Sequence, residues 1–138
     1  MFVRYNSEPN ILPYKKKASQ AFSKNAVVAT DSNGFLVPAT ASSTINGIVG
    51  IILRDVATTD ADYADAIYVE VDVPRRLEDQ FIADNVTTSG AQTDVGETCE
   101  LVDSLTIDVG NVTNNPLVRV EKVITASKVV VSFLGAIS

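Results

Sequence analysis

The sequence contains no histidine and no tryptophan, and it has a single cysteine. Without histidine there is no imidazole to activate a serine or cysteine nucleophile, to shuttle protons near neutral pH, or to ligate a transition metal. With Cys99 alone, no intrachain disulfide can form, which excludes a small secreted disulfide scaffold and the usual His/Cys zinc sites. No run approaches the roughly 18 apolar residues that would cross a bilayer as a helix. Residues 1–10 are polar, with no apolar stretch behind their charge, so a secretory signal is not expected. These absences point to a soluble chain made in a cytoplasm, with no membrane contact, no metal, no cofactor and no catalytic residues.

What is present favours a sheet. The 138 residues are enough for one domain, and 46% are hydrophobic, too many for a disordered chain. Much of that fraction is Val and Ile, whose branched side chains suit a pleated surface. The charge is unevenly placed. Residues 1–24 hold five bases (Arg4, Lys15, Lys16, Lys17, Lys24) against Glu8, while residues 25–138 hold six bases and sixteen acids. Pro9 and Pro13 disfavour helix at the residues before them. Residues 1–20 therefore read as an extended basic arm that is not packed, and residues 21–138 as an acidic β body that folds without it.

The body divides into short apolar runs. Asn25–Thr30 and Phe35–Pro38 flank Asp31-Ser32-Asn33-Gly34, where Asn-Gly would supply the two positive-φ residues of a tight hairpin. Gly47–Leu53 is continuously apolar and reads as a strand buried on both faces. Ile67, Val69, Val71 and Val73 alternate with Tyr68, Glu70 and Asp72 until Pro74. Thr98–Val102 and Leu105–Val109 read as a second hairpin across Asp103-Ser104. Leu117–Ile124 loses phase at Glu121-Lys122, where a β-bulge would restore it. Lys128–Leu134 places Val129, Val131 and Phe133 on one face. The single helical candidate is Arg75–Ala83, with Pro74 in its first turn. The fold class is all-β, a small barrel or sandwich with an extended N-terminal arm. Its expected core is Ile48, Ile51, Val69, Val71, Leu101, Ile107, Val120, Val131 and Phe133.

The motifs that resemble chemistry have plain readings. Asp60, Asp62 and Asp65 lack the glycine and late glutamate of a calcium loop and read as a solvated acidic loop. Asn85-Val86-Thr87 and Asn111-Val112-Thr113 fit the loose glycosylation pattern, which chance readily produces. Cys99 lies within a strand and reads as a buried, inert thiol. Asp31-Ser32-Asn33-Gly34 has one residue too many for an aspartic-protease signature and reads as a turn. Lys15-Lys16-Lys17 lacks the arginines and aromatics of a nucleic-acid patch and better suits an acidic protein surface.

The order of these segments resembles a known family. Lys24-Asn25-Ala26-Val27-Val28, then Asn33-Gly34-Phe35-Leu36-Val37-Pro38-Ala39, then Ile45-Asn46-Gly47-Ile48-Val49-Gly50-Ile51, then Ile67-Tyr68-Val69-Glu70-Val71, is similar to the capsid cement, or decoration, proteins of tailed bacteriophages. Val129–Ile137 resembles their terminal strand. The segment between Pro74 and Glu97 departs from the compact layout and reads as an insertion. The resemblance implies a non-enzymatic homotrimer on the outer surface of the virion, bound to the major capsid protein without touching nucleic acid. The arm residues expected to make that contact are Phe2, Val3, Arg4, Ile11, Leu12, Lys15, Lys16 and Lys17. A ligand- or glycan-binding β domain on a phage head or fibre is the competing reading, and it would cluster Tyr63, Tyr68 and Phe81 around one groove.

Overall fold

The structure is a computed structural model that describes residues 1–43, 47–75, 79–84, 86, 90–109 and 116–134. It is all-β, as the composition implied. In chain order the strands are β1 (Phe2–Arg4), β2 (Ile11–Lys15), β3 (Val27–Thr30), β4 (Leu36–Pro38), β5 (Ile48–Ile52), β6 (Tyr68–Asp72), β7 (Gln80–Ala83), β8 (Thr98–Asp103), β9 (Thr106–Asp108), β10 (Val118–Thr125) and β11 (Lys128–Phe133). They form two antiparallel sheets, ordered β2-β6-β5-β3-β4 and β1-β7-β11-β10-β8-β9.

The five-stranded sheet curls until its edges meet. Lys16 forms a parallel bridge to Leu36, and the Lys17 N–H donates to the Leu36 carbonyl at 3.0 Å. The space inside the curl holds Phe22, Val28, Leu36, Ile52, Val69 and Val71. The opposite face of the same sheet sends Val27, Ala29, Ile48 and Ile51 into a second core, shared with the six-stranded sheet. β5 thus lies between two cores, which is why all five of its residues are buried and why its sequence is an unbroken apolar run. Within it, a Cβ on Gly50 would stand 2.2 Å from the Asp72 carbonyl oxygen, so only glycine lets β5 and β6 approach this closely.

The turn between β3 and β4 is a hairpin with different chemistry from that expected. Of Asn33 and Gly34, only Gly34 has positive φ, at 83°. The Asp31 carboxylate supplies the rest, with Oδ1 accepting the N–H of Asn33 and of Phe35, each at 2.9 Å.

In the six-stranded sheet the bulge falls where the lost phase placed it. Val120 pairs with Val131, but Lys122 pairs with Val130, leaving Glu121 as the extra residue. Val118 and Val120 reach the core before the bulge, and Val123 packs against it afterwards. Three rings meet there: Phe81 stands edge-on to Phe133 with centroids 5.5 Å apart, and Phe2 lies 6.2 Å from Phe133. All nine expected core residues are buried.

Two further expectations fail. Gln80–Ala83 is strand β7, not the end of a helix, and it pairs with β1 on one side and β11 on the other. Phe81 and Ala83 are buried while Gln80 and Ile82 are half-buried, a period of two that ladder bonds on both edges enforce. Residues 76–78 lie outside the described residues. Because β7 is central to this sheet, the part of the 74–97 segment that it occupies is integral to the fold and not an appendage. The second failure is the unpacked arm. Residues 1–20 are extended, but β1 pairs with β7 and β2 with β6, and Phe2 and Lys16 are both fully buried. This segment is a strap that completes one edge of each sheet. Asn85 and Asn111 lie outside the described residues.

Candidate functional site

The strap is pinned by one arginine. Along β1, Phe2 and Arg4 turn inward and Val3 turns out. The Arg4 guanidinium sits 4.9 Å above the centre of the Phe81 ring. Its Nε donates to Asp72 Oδ2 at 2.9 Å and its Nη2 to Asp72 Oδ1 at 2.6 Å. Nη1 donates to Ser7 Oγ at 3.0 Å, and Ser7 Oγ donates in turn to Asp79 Oδ1 at 2.9 Å. The Arg4 and Asp72 side chains are only 7% and 6% exposed, so this is a buried bidentate pair. The hydrogen bond to Asp72 holds the guanidinium pKa above its ordinary value, against the opposing effect of burial.

The next strap residues extend the network. The Asn10 N–H donates to Asp72 Oδ1 at 3.0 Å, and Arg75 Nη2 donates to Asn10 Oδ1 at 2.6 Å. Every carboxylate here is engaged by a donor from the chain, an arrangement that fixes position and leaves no free base. Sequence reasoning missed it. Asp72 occupies the polar phase of the β6 alternation, which normally faces water, and nothing near it in sequence marks it as buried.

Of the eight expected contact residues, the strap brings four around one cleft of about 230 Å³: Phe2, Val3, Arg4 and Ile11, together with Pro9 and Leu53. Phe2 forms buried floor and Arg4 is committed to its carboxylates, so Val3 and Ile11 are the two of the four that present exposed apolar surface. Leu12 is exposed on β2 outside this cleft. The lysines separate. Lys15 is exposed, with its ammonium 5.9 Å from the Tyr68 ring centre, and Lys17 is exposed beside it. Lys16 is fully buried, and its Nζ donates to the carbonyls of Tyr63 at 3.0 Å and Lys17 at 3.4 Å. The expected block of three surface lysines is therefore two, because Lys16, just past β2, turns inward where it bridges Leu36.

β2 also leaves one edge open. The Val73 N–H bonds to the Asn10 carbonyl, and the Lys16 N–H to that of Ile67, so even-numbered positions face β6. Odd-numbered Ile11, Pro13 and Lys15 face away from it. Pro13, which has no N–H, thus stands where an incoming strand would need a donor.

Other candidates have structural occupations. Asp60 Oδ2 accepts the Ala57 N–H at 2.8 Å, and Asp62 Oδ2 pairs with Arg54 at 2.9 Å. Among the described residues no group of three or more acidic, histidine or cysteine side chains is placed to hold a metal ion. Burial is the main cause that pushes the Cys99 thiol up to about 12, with Asp108 and Asp94 adding to it. The three aromatics whose clustering would have favoured a ligand groove do not share one. Tyr68 is 67% exposed, Phe81 is buried between the sheets, and Tyr63 packs against the core inside the curl. No protein-family model matches the chain, and no curated protein matches it at a significant level.

Proposed function

We propose that this chain is a non-enzymatic virion structural protein that binds the outside of a phage head and reinforces contacts between major capsid proteins. The observation that carries the reading is where the apolar surface lies. Among the described residues nine large hydrophobic side chains are exposed, and five of them, Met1, Val3, Tyr5, Ile11 and Leu12, come from the first twelve residues. Exposed apolar side chains gathered on one segment favour a protein partner. Exposed Lys15 and Lys17 flank them and would suit an acidic capsid surface, though each surface ion pair contributes only about 0.2–1 kcal/mol. The apolar strip supplies most of the attachment. The choice of a capsid protein as partner rests on the resemblance of the sequence segments to cement proteins.

The site differs from the one the sequence suggested. Contact comes from the outward face of a docked strap, not from a free arm that orders on binding. The test is attachment to purified heads. The Val3→Asp/Ile11→Asp chain should fold, by circular dichroism and melting, yet leave the heads undecorated. Equal decoration by that variant sinks this surface. Absence of the natural chain from heads purified with it present sinks the reading as a whole.

A further inference from the structure

We infer that the strap is an exchangeable element: residues 1–17 of one copy can occupy, in a second copy, the same place they occupy in their own, giving a strand-swapped dimer. The strap is contiguous, and both of its strands lie at sheet edges, β1 beyond β7 and β2 beyond β6. It can therefore be withdrawn without breaking a ladder between any other two strands. Everything that receives it lies elsewhere in the chain. Phe2 enters the core beside Phe133, Arg4 is held by Asp72 and Asp79, and the Lys16 ammonium is capped by the Tyr63 carbonyl. A second copy offers each of these partners unchanged. The occupant of the vacated edges is thus specified by complementarity already present in the fold.

The connection decides between the two forms. Four residues, 18–21, join the strap to Phe22, which bridges to Val56. Ser19 lies in this short connection at φ 54°, a left-handed conformation that serine seldom adopts. Its N–H is tied to the Tyr63 carbonyl at 2.9 Å. Short, strained hinges favour exchange, because the swapped form keeps every strap contact and releases the hinge. Concentration supplies the opposing or assisting term, since exchange replaces an intramolecular partner with an intermolecular one.

The strap can be made to report which copy it occupies. Val3 and Ile82 are directly paired across β1 and β7. In a Cys99→Ala background, Val3→Cys/Ile82→Cys closes a disulfide within one chain when the strap is home, and between two chains when it is exchanged. Samples refolded at increasing protein concentration and oxidised are read on a non-reducing gel. Interchain product should rise with concentration. Ser19→Gly, which relieves the hinge at home, should lower it about tenfold, the factor that a left-handed penalty on a non-glycine residue implies. Ser19→Pro, which cannot adopt the home hinge, should raise it to the dominant species. Intrachain product alone at every concentration with the natural hinge overturns the inference, whether or not the proline variant folds. So does interchain product that ignores the glycine substitution.

Discussion

The two ends of the described chain enter the same sheet by different means. The β10–β11 hairpin is local: its strands are consecutive, pair over their whole length, and send Val118, Val120, Val129, Val131 and Phe133 into one core. The strap is non-local. β1 meets β7, and Arg4 of the strap finds Asp72 at a separation of 68 residues. The hairpin is held by apolar area, which has no directional requirement. The strap adds to Phe2 a buried polar network that works only if all its members are present. One end should tolerate small changes of shape, and the other should fail when a single charge is removed.

The largest effect expected on that comparison is deletion of residues 1–17. A free arm would be lost without consequence to the body. A strap takes with it Phe2 from one core, Tyr14 from against the other, the buried Lys16, and an edge of each sheet. The truncated chain should lose cooperative melting and its dispersed amide spectrum. A native-like melt would return the segment to the status of an arm.

Next in size is Asp72→Ala. It leaves the Arg4 guanidinium buried with only Asp79, at 3.4 Å, as a carboxylate partner. Breaking a buried pair from one side costs about 3–5 kcal/mol. Arg4→Met in the same chain should recover part of that loss, because the uncompensated charge goes with it. A denaturant double-mutant cycle measures both. Additive losses would mean that the pair is not coupled and that the strap is held by Phe2 alone.

On the hairpin side the expectation concerns accessibility. Cys99 sits on β8 opposite Val118 of β10, and burial raises its thiol to about 12. The native protein should be inert to a thiol reagent at pH 8 and react once denatured. An unfolded thiol ionises near pH 8.5, so the pH dependence has a definite sign. Below that pH the group leaves stability unchanged. As pH rises from about 9 towards 12, the unfolded state gains thiolate that the native state does not, and stability falls. Rapid labelling of the native protein would show that the β8–β10 pairing opens more readily than the strap.

What was legible in the sequence follows the same division. One-sided burial writes itself as alternation, so Val69 and Val71, the β8–β9 hairpin and the Glu121 bulge could all be read from local pattern. β5 could be read because burial on both faces leaves an unbroken apolar run. The strap could not. Prolines gave its extended backbone, but its docking depends on Asp72, Asp79 and Asn10, polar residues at positions where polarity ordinarily means solvent. β7 was misread for a related reason: four residues beside a proline and a charged stretch carry too little period to outweigh a helix start, and both of its ladder partners are remote in sequence. Charge and apolarity could not say which of the eight expected contact residues the two sheets would consume.

The smallest expected change in stability, and the one that separates an open edge from a closed one, is Pro13→Val. The hairpin strands are paired on both sides, β10 with β8 and β11 and β11 with β10 and β7, whereas β2 is paired only with β6 along Ile11–Lys15. An unpaired edge is a template for another strand, and a proline whose missing donor faces outward is one way to blunt it. Valine at this position keeps the extended backbone and adds the N–H that the edge lacks. Loss of the proline's restriction on the unfolded chain should cost no more than about 1 kcal/mol. The monomer should therefore melt almost as before while associating reversibly as concentration rises, seen by light scattering and by sedimentation. This association differs from strap exchange in leaving a Val3–Ile82 disulfide within one chain. If the valine variant stays monomeric at every concentration, the outward side chains of Ile11 and Lys15 already protect the edge, and Pro13 serves only to keep β2 extended.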